Sequence, residues 1–204
     1  PQDFWTLLLY AGYLTAEKKL GMNQYRVRVP NEEIRDSFIA NVKLRFSEEN
    51  DGFVTCGRDF AKAALAGDAD KMAEILAPLL ESYVSVRDVA TRAPAENYYH
   101  GFLAALLSCA GSFAKDLRSN VEAGDGFADL AFTCGTGSGR AGVVIEIKRC
   151  SKPEDMYDFA EAGLKQIASK RYTAYLDRLR CEKKCVYGIA FCRKDCAISG
   201  GIMP

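Results

Sequence analysis

Residues 127–149 read FADLAFTCGTGSGRAGVVIEIKR. Apolar alternation over 127–134 and a β-branched run over 143–147 mark two strands, and the glycine-rich stretch between them marks a turn. On the second strand Val143, Ile145 and Ile147 share one face, which reads as core, while Val144, Glu146 and Lys148 share the other. An interior strand that carries a carboxylate and an ammonium on one face needs a reason. If the two strands pair antiparallel about a turn centred between Gly137 and Ser138, position 129 faces position 146. A loop of this length also accommodates a shifted register. In the centred one, Asp129, Glu146 and Lys148 converge, the last two about 6.5–7 Å apart along the strand.

Opposed carboxylates repel and ordinarily destabilise a sheet. A divalent cation reverses that sign. Carboxylate oxygens are hard ligands suited to Mg²⁺ or Mn²⁺, which need only one or two of them and leave positions for water and phosphate. Such an ion activates water and offsets charge at phosphorus, and a neighbouring lysine such as Lys148 can orient the attacking water. The pattern therefore points toward phosphodiester hydrolysis.

Outward from this pair, the chain reads as α/β. A helix over 95–113 leads into strands over 116–120, 127–134 and 142–148, then a helix, with a break, from Glu154 to Leu179, then strands over 185–191 and 197–199. That order predicts a mixed central sheet with helices on its faces. Upstream, the pattern predicts a helix over 4–14, a strand over 25–29, a helix over 31–46 opened by Pro30 and Asn31, a helix over 58–66, and one capped by Asp68 or Asp70 running to Tyr83. The reading divides the chain into a helix–strand–helix, winged-helix-like segment over 1–48, a helical connector over 49–93 and the mixed-sheet domain over 94–204.

Composition excludes several classes. The 204 residues, 49% of them hydrophobic, suffice for one ordinary core, and 27 basic residues balance 27 acidic ones. Neutrality gives no global signature of a nucleic-acid binder, although residues 146–194 hold twelve bases against seven acids. The most apolar run, over 4–14, falls far short of the roughly 20 residues a spanning helix needs. Eight cysteines include Cys181, Cys185, Cys192 and Cys196 in two C-x3-C pairs, but no histidine lies near, and buried reduced thiols of a cytoplasmic protein are the simpler reading than zinc.

The pattern of an Asp on one strand and Glu146-Ile147-Lys148 on the next resembles the PD-(D/E)XK nuclease superfamily. Flanking segments strengthen it: AENYYHGFL over 95–103, SNVEAGDGFADL over 119–130 and LKQIASKRY over 164–172. Together they are similar to the nuclease domain found behind an AAA-ATPase-like domain in many bacterial proteins, where FWTLLLYAGYLT and PNEEIR match the joining segment; a longer parent chain is the expectation. The resemblance implies a restriction-endonuclease-like core with a mostly helical N-terminal extension. It implies Asp129 and Glu146 as ligands of Mg²⁺ or Mn²⁺, Lys148 as the catalytic lysine, Glu96 as a further carboxylate and Gln166 as a supporting polar residue. Its implied partners are nucleic acid, DNA ahead of RNA, and an upstream ATPase-like domain, with no membrane and with a homodimer as one admitted assembly. Where relatives read G-R-x-D, this chain has Gly126-Phe127-Ala128-Asp129.

Each residue also has a plainer reading. Glu146 and Lys148 can be exposed neighbours on a half-solvated strand, Glu96 a first-turn acid favoured by the helix dipole, and His100, one turn later, a hydrogen-bonded structural histidine. Gln166 can solvate a helix face, Asp125 a turn, and Tyr98, Tyr99 and Tyr172 can pack with a polar tip. A catalytically silent, partner-binding nuclease fold is the competing function: neutral charge favours it, the complete Asp, Glu and Lys set opposes it.

Overall fold

A computed structural model describes residues 14–21, 24–28, 52–84 and 95–203. The helix read over 31–46 lies outside the described residues, as does the one read over 4–14 except for Leu14, which is a bend leading into the first strand. Packing divides the chain into two units, Pro1–Asp51 and Gly52–Pro204.

In the first unit β1 (Thr15–Gly21) pairs antiparallel with β2 (Gln24–Arg28). The second strand coincides with the one read over 25–29, whereas β1, TAEKKLG, carries too few apolar residues for alternation to reveal it.

In the second unit the strands β3 (Lys115–Ala123), β4 (Gly126–Cys134), β5 (Ala141–Arg149), β6 (Lys183–Cys192) and β7 (Asp195–Ile202) lie side by side in chain order. All neighbours are antiparallel except β5 and β6, which run parallel. The mixed sheet inferred from the sequence is the one observed. Its parallel step needs a crossover, supplied by α4 (Met156–Ser169) and α5 (Ala174–Arg178). The break between these two helices falls at 170–173.

On one face, Leu130, Phe132, Val143, Ile145, Ile147, Tyr187 and Phe191 pack against the helices α1 (52–66), α2 (Ala69–Tyr83) and α3 (Ala95–Ser108). The segment read as a helical connector thus contributes Phe60, Met72, Leu76 and Leu80 to the same core as the sheet. On the opposite face, Ala131 and Val144 pack against Ile167 of α4 and Leu176 of α5. A strand covered on both sides must be apolar almost throughout, which is why β5 reads as a near-continuous hydrophobic run.

Local chemistry sets the ends. Asp68 caps α2 by accepting the Lys71 N–H at 2.9 Å. The helix read through to Phe113 stops at Ser108, and a short 3₁₀ turn, Gly111–Phe113, follows with Gly111 at φ +61. All eight cysteines are free, and Cys150, Cys181, Cys185 and Cys192 are buried. No helix among the described residues is long and apolar enough to cross a membrane.

Candidate active site

The register of β4 on β5 decides where the charged residues meet. Leu130 pairs with Ile145 and Ala131 with Val144, the register that sets position 129 against 146. The backbone ladder ends at Leu130, and Asp129 extends it by side chain: its Oδ2 accepts the Ile147 N–H at 2.7 Å.

Glu146 sits deeper, only 3% exposed. It pairs along the parallel ladder with Gly188, and α4 crosses directly above at Gly163. A Cβ on Gly188 would stand 1.9 Å from the Ala160 carbonyl oxygen, and one on Gly163 would stand 3.0 Å from Gly188 Cα and 3.6 Å from Glu146 Cβ. The two glycines let α4 lie flat on the sheet over Glu146. That close approach brings Gln166, one turn further along α4, onto the carboxylate.

Glu146 Oε1 accepts two hydrogen bonds, from Lys148 Nζ at 2.8 Å and Gln166 Nε2 at 2.5 Å. Among the described residues, the buried Glu146 Oε2 has no hydrogen-bond partner. Gln166 Nε2 also donates to the Tyr172 hydroxyl at 3.2 Å. Burial pushes the Glu146 carboxyl up to about 7; the Lys148 hydrogen bond pulls it down, and the charge of Asp129 pushes it further up. That last effect is the electrostatic mark of two carboxylates facing one patch.

An orphaned buried oxygen costs free energy of the order of 1–3 kcal/mol unless something completes its coordination. A small hard cation beside Asp129 would do so, and the donor set, carboxylate oxygens with a lysine close by, fits Mg²⁺ or Mn²⁺. Among the described residues no group of three or more His, Cys, Asp or Glu side chains gathers as a metal site. Two protein carboxylates are therefore what these residues offer.

The structure brings Asp129, Glu146, Lys148 and Gln166 together. Glu96 stands in the first turn of α3, half-buried, and is not among the hydrogen-bond partners of that group. His100 pairs its Nε2 with Ser119 Oγ at 3.0 Å, which ties α3 to β3 as a structural histidine would. Asp125 is a turn residue joined to Arg171 through two hydrogen bonds, at 2.8 and 3.1 Å. Tyr99 stacks on Phe191 with centroids 4.4 Å apart and donates to the Arg193 carbonyl at 2.6 Å. Phe127, at the position where the resemblance leads one to expect Arg, is 62% exposed. The sequence reads Tyr172 as a packing residue with a polar tip. It does pack, at 3% exposure, but its hydroxyl is also the second anchor of Gln166, a contact across the helix end that no sequence spacing announces.

A sequence profile described as the PD-(D/E)XK nuclease superfamily matches residues 94–200, just over half of the chain. No curated protein and no solved structure gave a significant match.

Proposed function

The chain belongs to the PD-(D/E)XK nuclease superfamily, and from that premise we propose that it is a metal-dependent nuclease that hydrolyses phosphodiester bonds in nucleic acid, DNA ahead of RNA. The observation that carries the proposal is Glu146 Oε2, buried beside Asp129 and Lys148 and without a hydrogen-bond partner among the described residues. Asp129 and Glu146 would hold Mg²⁺ or Mn²⁺, with Glu96 a further carboxylate only if α3 brings it to the ion. When bound, the cation supplies charge neutralisation at phosphorus and a lowered pKa for attacking water.

The remaining roles belong to the chain itself. Lys148, 23% exposed at its side chain against 4% for Glu146, is the more solvent-accessible of the pair and can orient the water or stabilise the negative phosphoryl oxygens. Gln166 fixes the Glu146 carboxylate so that Oε2, and not Oε1, points free. Asp129, tied through Oδ2 to the Ile147 N–H, has that oxygen held in place, and its Oδ1 would be the one to reach the ion. The same reading makes the chain the nuclease part of an ATPase-linked protein, in keeping with the resemblance of its first 48 residues.

The test is cleavage of single-stranded, duplex and branched DNA and RNA, with and without EDTA, for wild type, Glu146→Ala and Lys148→Ala, together with Mn²⁺ calorimetry. EDTA-sensitive cleavage lost in both variants is the expected result. Absence of Mn²⁺ binding and of cleavage in the wild type would leave the silent, partner-binding module as the reading.

A further inference from the structure

The β1–β2 ribbon concentrates charge. Residues 15–28 hold Lys18, Lys19, Arg26 and Arg28 against a single acid, Glu17. Both strands are exposed along nearly their whole length. Lys18 pairs directly with Arg26, and Arg28, two residues further along β2, shares that face. Glu17 is the extra residue left between the pairs Ala16↔Val27 and Lys18↔Arg26. On the other face Lys19 lies opposite Tyr25, its ammonium 6.0 Å from the ring centroid.

Like charges directly opposed across two strands destabilise a hairpin, and a two-stranded sheet has little stability to spare. Among the described residues none of Lys18, Arg26 and Arg28 forms an ion pair that would relieve this. A solvated basic face would spread its cations; here three stand together on one face. Such a cluster is satisfied by a polyanion.

The identity of that polyanion follows from the second unit. Across residues 52–204, twenty Lys and Arg stand against nineteen Asp and Glu. Affinity for nucleic acid comes mostly from cations that displace counterions at phosphates, and a nearly neutral domain supplies little of it. We infer that the β1–β2 ribbon is a separate nucleic-acid contact, in which Lys18, Arg26 and Arg28 bind the phosphate backbone and provide affinity that the nuclease unit lacks. Choosing nucleic acid over another polyanion rests on the function proposed above. Tyr25 and Lys19, on the opposite face, are outside the cluster.

The experiment uses the whole chain in EDTA, so that binding is read without cleavage. Fluorescence anisotropy with a labelled 30-base-pair DNA duplex and a 30-nucleotide single strand is followed from 50 to 300 mM NaCl. Three proteins are compared: wild type, Lys18→Gln/Arg26→Gln/Arg28→Gln, and the charge-keeping Arg26→Lys/Arg28→Lys. Removal of three phosphate contacts should flatten the slope of log K against log salt by about 0.9 per contact on the duplex, with at least a tenfold loss of affinity near 100 mM salt. The charge-keeping variant should follow the wild type. Equal slopes for wild type and the triple Gln variant would overturn the inference, and if cleavage persists the nuclease assignment survives that failure. A ribbon-dependent slope in a protein that cleaves nothing supports the ribbon and removes the nuclease. Binding to phosphatidylglycerol vesicles with no binding to either DNA would overturn it in favour of a membrane surface.

Discussion

Asp129 Oδ2 accepts the Ile147 N–H at 2.7 Å, one step beyond the last backbone pair of β4 with β5. The carboxylate takes the place of a strand carbonyl and so has both a structural and a chemical duty. The two separate by mutation. Asp129→Asn keeps an oxygen acceptor for Ile147 and should unfold within about 1 kcal/mol of wild type, yet lose most Mn²⁺ affinity and cleavage. Asp129→Ala strands the N–H as well and should cost a further 1–3 kcal/mol or so. Urea denaturation and calorimetry on both variants check this; equal stability losses would show that the hydrogen bond is not what the side chain contributes.

The raised Glu146 carboxyl makes a pH prediction. Its folded-state value, about 7, lies above the ordinary 4.5. Stability tied to the neutral form is therefore fully present below about pH 4.5 and is lost as pH rises through 7. The shift corresponds to roughly 3 kcal/mol. In EDTA, wild type should lose about that much between pH 4.5 and 8.5 relative to Glu146→Gln, which cannot ionise. Added Mn²⁺ should recover the loss at pH 8.5 in wild type alone, and its affinity should weaken below pH 7 as protons compete for the same oxygens. Parallel pH–stability curves for the two proteins would remove the buried-carboxylate account.

The charged half of the site was legible from the strand pattern. Alternation placed Glu146 and Lys148 on one face, and a centred turn gave the register that sets Asp129 beside them. What alternation could not give was depth. Glu146 is sealed by α4, a helix whose approach is set by Gly163 and Gly188, and glycines announce themselves poorly in a sequence. Nor could spacing alone show Gln166 held between Glu146 and Tyr172. The ribbon strand β1 escaped because its residues are polar on both faces, so no period marks it.

Tyr172 gives the third prediction. Its hydroxyl accepts from Gln166 Nε2 at 3.2 Å while the ring packs at 3% exposure. Tyr172→Phe keeps the packing and removes the acceptor, so it should cost about 1 kcal/mol or less in stability. It should also lower cleavage several-fold, since Gln166 then has one partner where it had two. Gln166→Ala should lower cleavage more and, by removing one of the two donors to Glu146 Oε1, move the midpoint of the pH–rate profile upward. A Tyr172→Phe enzyme with wild-type kcat would restrict Tyr172 to packing.

The fourth prediction concerns the seat of α4. A Cβ at Gly188 would meet the Ala160 carbonyl oxygen at 1.9 Å, and backbone on a packed helix cannot yield, so Gly188→Ala must push α4 off the sheet. A Cβ at Gly163 would meet Gly188 Cα at 3.0 Å and the Glu146 carbonyl oxygen at 3.4 Å, a crowding of a few tenths of an ångström. Alanine also favours the helix by about 1 kcal/mol over glycine at that interior position, which offsets part of the strain. Gly188→Ala should therefore lose about 3 kcal/mol or more and nearly all cleavage, because Gln166 leaves Glu146 when the helix lifts. Gly163→Ala should change stability by no more than about 1 kcal/mol and retain measurable cleavage. Thermal unfolding and a cleavage assay on the two proteins decide it: a Gly188→Ala protein as stable and as active as wild type would mean that the close approach of α4 does not hold the site.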